Sequence, residues 1–190
     1  MHLNTKRVVI TGGPSTGKTA VIDVLEQKGY HCLEEVIRAM TLAKKENESD
    51  VVFETNPIVS VTEPMAFNQM ILDARIAQYE STANNSEEIV FFDRGIPDVL
   101  AYMDCFQQEY GKPFTEACKN NLYDVIFLMP PWKEIHVVDN ERFESYEESL
   151  RIHECLEKSY SSFGYDVQIV PKDTILNRVD FILEHLKQLK

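Results

Sequence analysis

At 190 residues, 44% of them hydrophobic, and with a formal charge of −12, the chain has length for one substantial core but not for two. The acidic balance argues against nucleic-acid binding, because phosphate backbones recruit Lys and Arg, yet a nucleotide needs only a local nest of N–H groups and one lysine. No apolar run approaches membrane-spanning length. The four scattered cysteines, Cys32, Cys105, Cys118 and Cys155, form no CxxC pair, which predicts reduced thiols in a cytoplasmic protein rather than a zinc site.

Strand and helix signals alternate along the chain. "RVVIT" (7–11) predicts a short buried strand, and the helix that follows the glycine-rich turn has apolar Val21, Ile22, Val24 and Leu25 and a C-terminal stop at Gly29. "YHCLEE" (30–35) predicts a second strand leading into a helix through Ala39 and Leu42, and a long helix is expected from about Glu63 to Tyr79. "IVFFD" (89–93) is hydrophobic throughout, as a strand covered on both faces should be. One helix is then expected from Pro97, with Gly111 after its end, and "YDVIFLMPP" (123–131) predicts the fourth strand. A capping box, Ser145 to Glu148, opens a helix that Gly164 closes. "DVQIV" gives the fifth strand, and the last helix is expected to bury Ile175, Val179, Ile182, Leu186 and Leu189. Five strands separated by helices imply a parallel three-layer α/β sheet in a single domain over 1–190, with ligands at the carboxyl ends of the strands.

Two stretches carry chemistry. "GGPSTGKT" matches G-x-x-x-x-G-K-[ST] through Gly12, Gly17, Lys18 and Thr19, between a predicted strand and a predicted helix. The loop Gly12, Gly13, Pro14, Ser15, Thr16 and Gly17 can curl so that the N–H groups of its non-proline residues surround a phosphate, with Lys18, Thr19 and Ala20 opening the helix. Lys18 can bridge the β- and γ-phosphates of ATP, and the Thr19 hydroxyl can ligate Mg²⁺. "FFDRG" ends an apolar strand in Asp93, suited to holding the same metal ion. The next residue is Arg94, where motor ATPases place a water-polarising Glu. A cation there suits a second anion, such as an acceptor phosphate, or else pairs with Asp93 or Asp98 and orders the loop.

"VVITGGPSTGKT", "FFDRGIPD", "FLMPPW" and "HECLEKSYSSFGYDVQIVP" together resemble a family of small P-loop proteins labelled AAA-type ATPase-like. It includes the ribosylnicotinamide kinase part of a bacterial NAD-biosynthesis regulator and an animal photoreceptor-trafficking protein. More distantly, the Asp-Arg pair is similar to that of thymidylate and deoxynucleoside kinases. The resemblance implies a nucleoside-kinase-like P-loop fold with strand order 2-3-1-4-5 and a short lid at about 131–146. It also implies a carboxylate after the second strand that accepts the acceptor hydroxyl's proton, which Glu35 or Glu34 could supply, with Arg38 as an anion or sugar contact. In such kinases a lid arginine closes over the transferring phosphoryl group. Arg142 fits that place, and Arg151 either faces the same phosphates or pairs with Glu147 or Glu154. The loop 170–174 falls where adenine packs in kinases of this shape. Trp132 would line a pocket or pack the lid. Asn68, Gln69 and Arg75 stand on the helix that reads the base in related enzymes, among residues that otherwise read as core.

These features favour an ATP- and Mg²⁺-dependent phosphotransferase acting on a small nucleoside-like acceptor, with Lys18, Glu35, Asp93, Arg94 and Arg142 as its catalytic set. A nucleotide-binding switch with slow turnover and a protein or lipid partner is the alternative. Plain hydrolysis is disfavoured by the missing Glu. The sequence leaves the oligomeric state open, a homodimer included.

Overall fold

The computed structural model describes residues 5–37, 63–83, 86–136 and 145–189. The helix expected through Ala39 and Leu42, the residues Arg38 and Arg142, and the central half of the expected lid lie outside them. A five-stranded sheet has the order β2-β3-β1-β4-β5. Its strands are β1 (Lys6–Gly12), β2 (His31–Leu33), β3 (Ile89–Asp93), β4 (Val125–Met129) and β5 (Val167–Ile169), and every pairing is parallel. This is the strand order that the family resemblance implied.

Six α-helices are described: α1 (Lys18–Gln27), α2 (Pro64–Ser81), α3 (Pro97–Cys105), α4 (Lys112–Asn120), α5 (Tyr146–Ser162) and α6 (Ile175–Gln188). Successive strand residues point to opposite faces, so the sheet divides the core into two layers. Val9, Val90, Phe92, Ile126 and Leu128 pack with α2, α3, α4 and α5. Val8, Ile10, Phe91, Phe127 and Met129 pack with α1 and α6. Both layers are buried, which explains why β3 and β4 read as continuous apolar runs rather than as alternating ones.

Helix ends follow local chemistry. The Ser145 hydroxyl accepts from the Glu148 N–H while the Glu148 carboxylate accepts from the Ser145 N–H, completing the capping box. At the end of α1, Gly29 takes φ 88°, and Tyr30 N–H reaches back to the Leu25 carbonyl at 3.1 Å, the bonding pattern of a Schellman stop.

Two expectations need correction. The helix from Pro97 ends at Cys105, and Gly111 is not its terminator but the N-cap of a separate helix, α4, which was not foreseen. Gln107 in the left-handed region breaks the first helix, and Pro113 suits the first turn of the second, which buries Phe114, Ala117 and Cys118. On α6 the buried stripe is Arg178, Val179, Ile182 and Leu186, whereas Ile175 and Leu189 are 43% and 50% exposed. The stripe is centred on the middle of the helix, so its terminal members project past the sheet.

Candidate functional site

The site lies at the carboxyl ends of β1 and β3, where the register pairs Ile10 with Asp93 and brings the glycine-rich loop beside the acidic strand end. Gly12 has φ 152°, and a Cβ there would come 2.7 Å from the Met129 carbonyl oxygen and 3.0 Å from Thr16 Oγ1. The loop can therefore turn off the sheet only without a side chain. Thr16 Oγ1 donates to the Gly13 carbonyl at 2.9 Å, and Gly17, at φ 83°, is the N-cap of α1. The turn ends where the α1 dipole offers its positive end.

Lys18 folds over this loop, donating to the carbonyls of Gly12 at 2.9 Å and Gly13 at 3.0 Å. Burial, then the charge of Arg94, lowers its ammonium to about 7, against the opposing pull of Asp93, Glu35 and Asp98. Asp93 is 7% exposed, and its buried Oδ1 has no hydrogen-bond partner among the described residues. Burial and the Glu35 charge raise its pKa, partly offset by Lys18, Arg94 and Arg75. A buried carboxylate oxygen without a donor, beside a phosphate-type loop, fits a hard divalent cation. Thr19, the other expected metal ligand, follows Lys18 in the first turn of α1.

Next to Asp93 the chain makes a left-handed turn at Arg94, φ 71°, a conformation costing a non-glycine residue about 1–2 kcal/mol. The turn is fixed by a hydrogen bond from Arg94 N–H to the Ile10 carbonyl at 3.0 Å. It aims the guanidinium into a four-residue ion array. Arg94 pairs through Nε with Glu35 and through Nη1 with Asp98 at 3.2 Å. Arg75, from α2, pairs with Glu35 at 3.0 Å, approaches Asp98 at 3.9 Å, and donates to the Gly95 carbonyl at 2.6 Å. Of the two carboxylates after β2, Glu35 enters this array, while Glu34 is exposed. Of the two pairings weighed for Arg94, the one with Asp98 is present, and Glu35 is its other partner.

Asp98 is the hub. It is 1% exposed and accepts from Thr11 Oγ1 at 2.6 Å, from Tyr160 OH at 2.5 Å and from Gly95 N–H at 3.0 Å, besides its two arginines. Burial alone would raise its pKa. Arg75 and Arg94, with the Thr11 and Tyr160 hydroxyls, overcome that and hold the carboxyl below its ordinary range. Burial and the adjoining Asp98 charge keep Tyr160 well above the usual phenol range, so it remains a hydrogen-bond donor.

The other sequence candidates fall around this centre. Asn68 is buried and donates to Gln108 at 2.6 Å, whereas Gln69 bonds Asp73 on its own helix. Arg151 is exposed, with its guanidinium 5.9 Å from the centre of the Phe106 ring. Trp132 is half-buried, and Arg178 lies 5.6 Å from its ring centre. Sequence reasoning passed over Arg178 as one position in an apolar stripe. An arginine at the i+3 step of such a stripe was the available signal.

With the fold and the ion array in place, the comparisons identify the class. A family model described as an AAA domain matches residues 7–178. The chain belongs to this family. No curated protein sequence matches the chain. Among solved structures, deoxyadenosine kinase from M. mycoides, with products dCMP and dCDP bound, aligns at TM-score 0.64 and 14% identity, over 97% of this chain and 100% of that one. Thymidylate kinase from Candida albicans aligns at 0.67 and 15%, over 97% and 92%. The NadR protein in complex with NR aligns at 0.67 and 22%, over 97% of this chain but 49% of that one, so the chain spans about half of NadR. At these identities the likeness is one of fold: a P-loop kinase-like α/β sheet.

Proposed function

We propose that this protein is an ATP-dependent phosphotransferase, a single kinase-like domain acting on an uncharged, nucleoside-like hydroxyl acceptor. The observation that carries this reading is the Glu35–Arg94–Arg75–Asp98 array beside the phosphate loop. Two guanidinium groups face two carboxylates there. Among the described residues both guanidinium groups of the array are already paired with its carboxylates, which favours a hydroxyl compound over a nucleotide. Glu35 would accept the hydroxyl proton, and Arg94 would hold Glu35 in place. The loop N–H groups and Lys18 would grip the triphosphate, and Arg142 would meet the transferring group. Thr19 and Asp93 would hold Mg²⁺, which supplies charge neutralisation on the phosphates when bound.

Glu35→Gln tests the assignment. Transfer from Mg-ATP across a panel of nucleosides and nucleoside monophosphates should select a nucleoside, and kcat should fall about 100-fold or more in the variant while ATP affinity holds. Tight ATP binding without acceptor-stimulated turnover across the panel would instead favour the switch reading.

Lys18 also gives nucleotide binding a pH signature. A polyphosphate in the loop favours the ammonium, so its bound-state pKa rises above the value of about 7 that burial and Arg94 set in the protein alone. Below that pH the lysine is already charged and the affinity is flat. Above it, binding takes up a proton, and affinity falls by up to about tenfold per pH unit. Titration calorimetry in buffers of different ionisation enthalpy reads the proton directly.

A further inference from the structure

Arg178 stands on the opposite side of the phosphate loop from the ion array and has a different electrostatic position. It is 2% exposed, one of the largest fully buried side chains of the described residues. Its Nη1 donates to the Thr16 carbonyl at 3.0 Å and its Nε to the Pro171 carbonyl at 3.1 Å. The guanidinium lies directly behind Gly17, where an added Cβ would come 2.8 Å from Nη1. Nη2 is buried and has no hydrogen-bond partner among the described residues.

Three features make this cation costly in the protein alone. No carboxylate among the described residues forms an ion pair with it, in contrast to Arg75 and Arg94. Asp173 is the carboxylate whose charge it feels, but that group faces solvent and is engaged by Thr174 N–H and Asn177 Nδ2. Finally, Gly17 is the N-cap of α1, so Arg178 sits at the positive end of a helix dipole, where a cation is repelled. The Trp132 ring at 5.6 Å offsets part of this. A buried charge with no counter-charge destabilises a fold. Two carbonyls could be held by a neutral donor, so hydrogen bonding does not account for the charge.

We propose that the missing counter-charge is the bound polyphosphate: Arg178 is a second cation of the phosphate site, acting through the loop backbone from behind while Lys18 acts from in front. It is a positioning residue, holding the Thr16 carbonyl and supplying field to the loop without touching the anion. The inference rests on the phosphate-loop reading above. It adds that part of the site's positive charge comes from α6, an element outside the loop motif.

The test measures binding of Mg-ATP and of inorganic tripolyphosphate to the wild-type protein and to Arg178→Met, Arg178→Gln and Arg178→Lys. Expected is a Kd increase of about tenfold or more for both ligands in Met and Gln, with Lys within about threefold of wild type. Gln keeps a donor for the Thr16 carbonyl, so its loss of affinity separates charge from hydrogen bonding, and it stands in if Met does not fold. Weakened ATP with unchanged tripolyphosphate would mean a base contact and overturn the proposal. So would unchanged affinity in Gln, or equal losses in Lys and Gln. Wild-type protein that binds neither ligand would remove the phosphate-loop reading itself, and this inference with it. Binding by wild type with no effect in Gln removes only the inference.

Discussion

Lys18→Ala is expected to raise the ATP Kd by about 100-fold, equivalent to roughly 3 kcal/mol, and to abolish phosphoryl transfer. The side chain is held over the loop by two backbone carbonyls, Gly12 and Gly13, which fix its amine where a phosphate oxygen would replace them. Its charge is suppressed in the empty site by burial and by Arg94. The lysine is therefore electrostatically uncomfortable until an anion arrives, and binding recovers that energy. The variant should separate two quantities that usually move together. The thermal midpoint of the empty protein should change little, while the midpoint increase produced by Mg-ATP disappears. Differential scanning fluorimetry with and without nucleotide checks both, and an unchanged ATP affinity would defeat the phosphate-loop assignment.

Asp98→Ala is expected to give the largest loss of stability. The carboxylate is almost wholly buried and joins Thr11 of β1, Tyr160 of α5, the Gly95 N–H and two arginines. Removing it leaves two guanidinium groups facing Glu35 alone. Breaking such a buried pair costs about 3–5 kcal/mol, or about 6–20 °C in Tm for a chain of this size. Asp98→Asn keeps the shape and part of the hydrogen bonding and should lose less. The charge also sets an acid limb. Because the folded-state pKa is depressed, the stabilisation is fully present above the ordinary carboxylate pKa of about 3.9 and is lost as pH falls through the folded value. Urea titrations between neutral pH and pH 3 should show a steeper decline in the wild type than in Asp98→Asn.

The phosphate loop, Asp93 and the strand pattern were legible because each is local: a glycine spacing, an apolar run, a carboxylate at its end. Strand order came from the resemblance, not from any residue pattern. The ion array was half legible. Asp98 was a foreseeable partner of Arg94, being four residues away, but Arg75 and Glu35 reach the array from two other elements, and sequence separation conceals such meetings. Helix α4 was missed because Gly111 can close one helix or open the next, and only the following Pro113 and the buried Phe114 decide between them. Arg178 was hidden by its neighbours: Val179 and Ile182 mark the face as core, and burial of a cation runs against the rule that defines a core face.

The alternation of side chains along β1 and β3 has a consequence for how such a protein can change. The layer containing Val9, Val90 and Phe92 lies under α2, α3 and α5, the helices that present Arg75, Asp98 and Tyr160. The layer containing Val8, Ile10 and Phe91 lies under α1 and α6, which present Lys18 and Arg178. One sheet thus serves as a partition between two packed layers, and the two communicate at its carboxyl edge, where Lys18 feels the charges of the array. Repacking on the first side would reshape the surroundings of the ion array directly and would reach the phosphate loop through the charges that Arg94, Glu35 and Asp98 exert on Lys18.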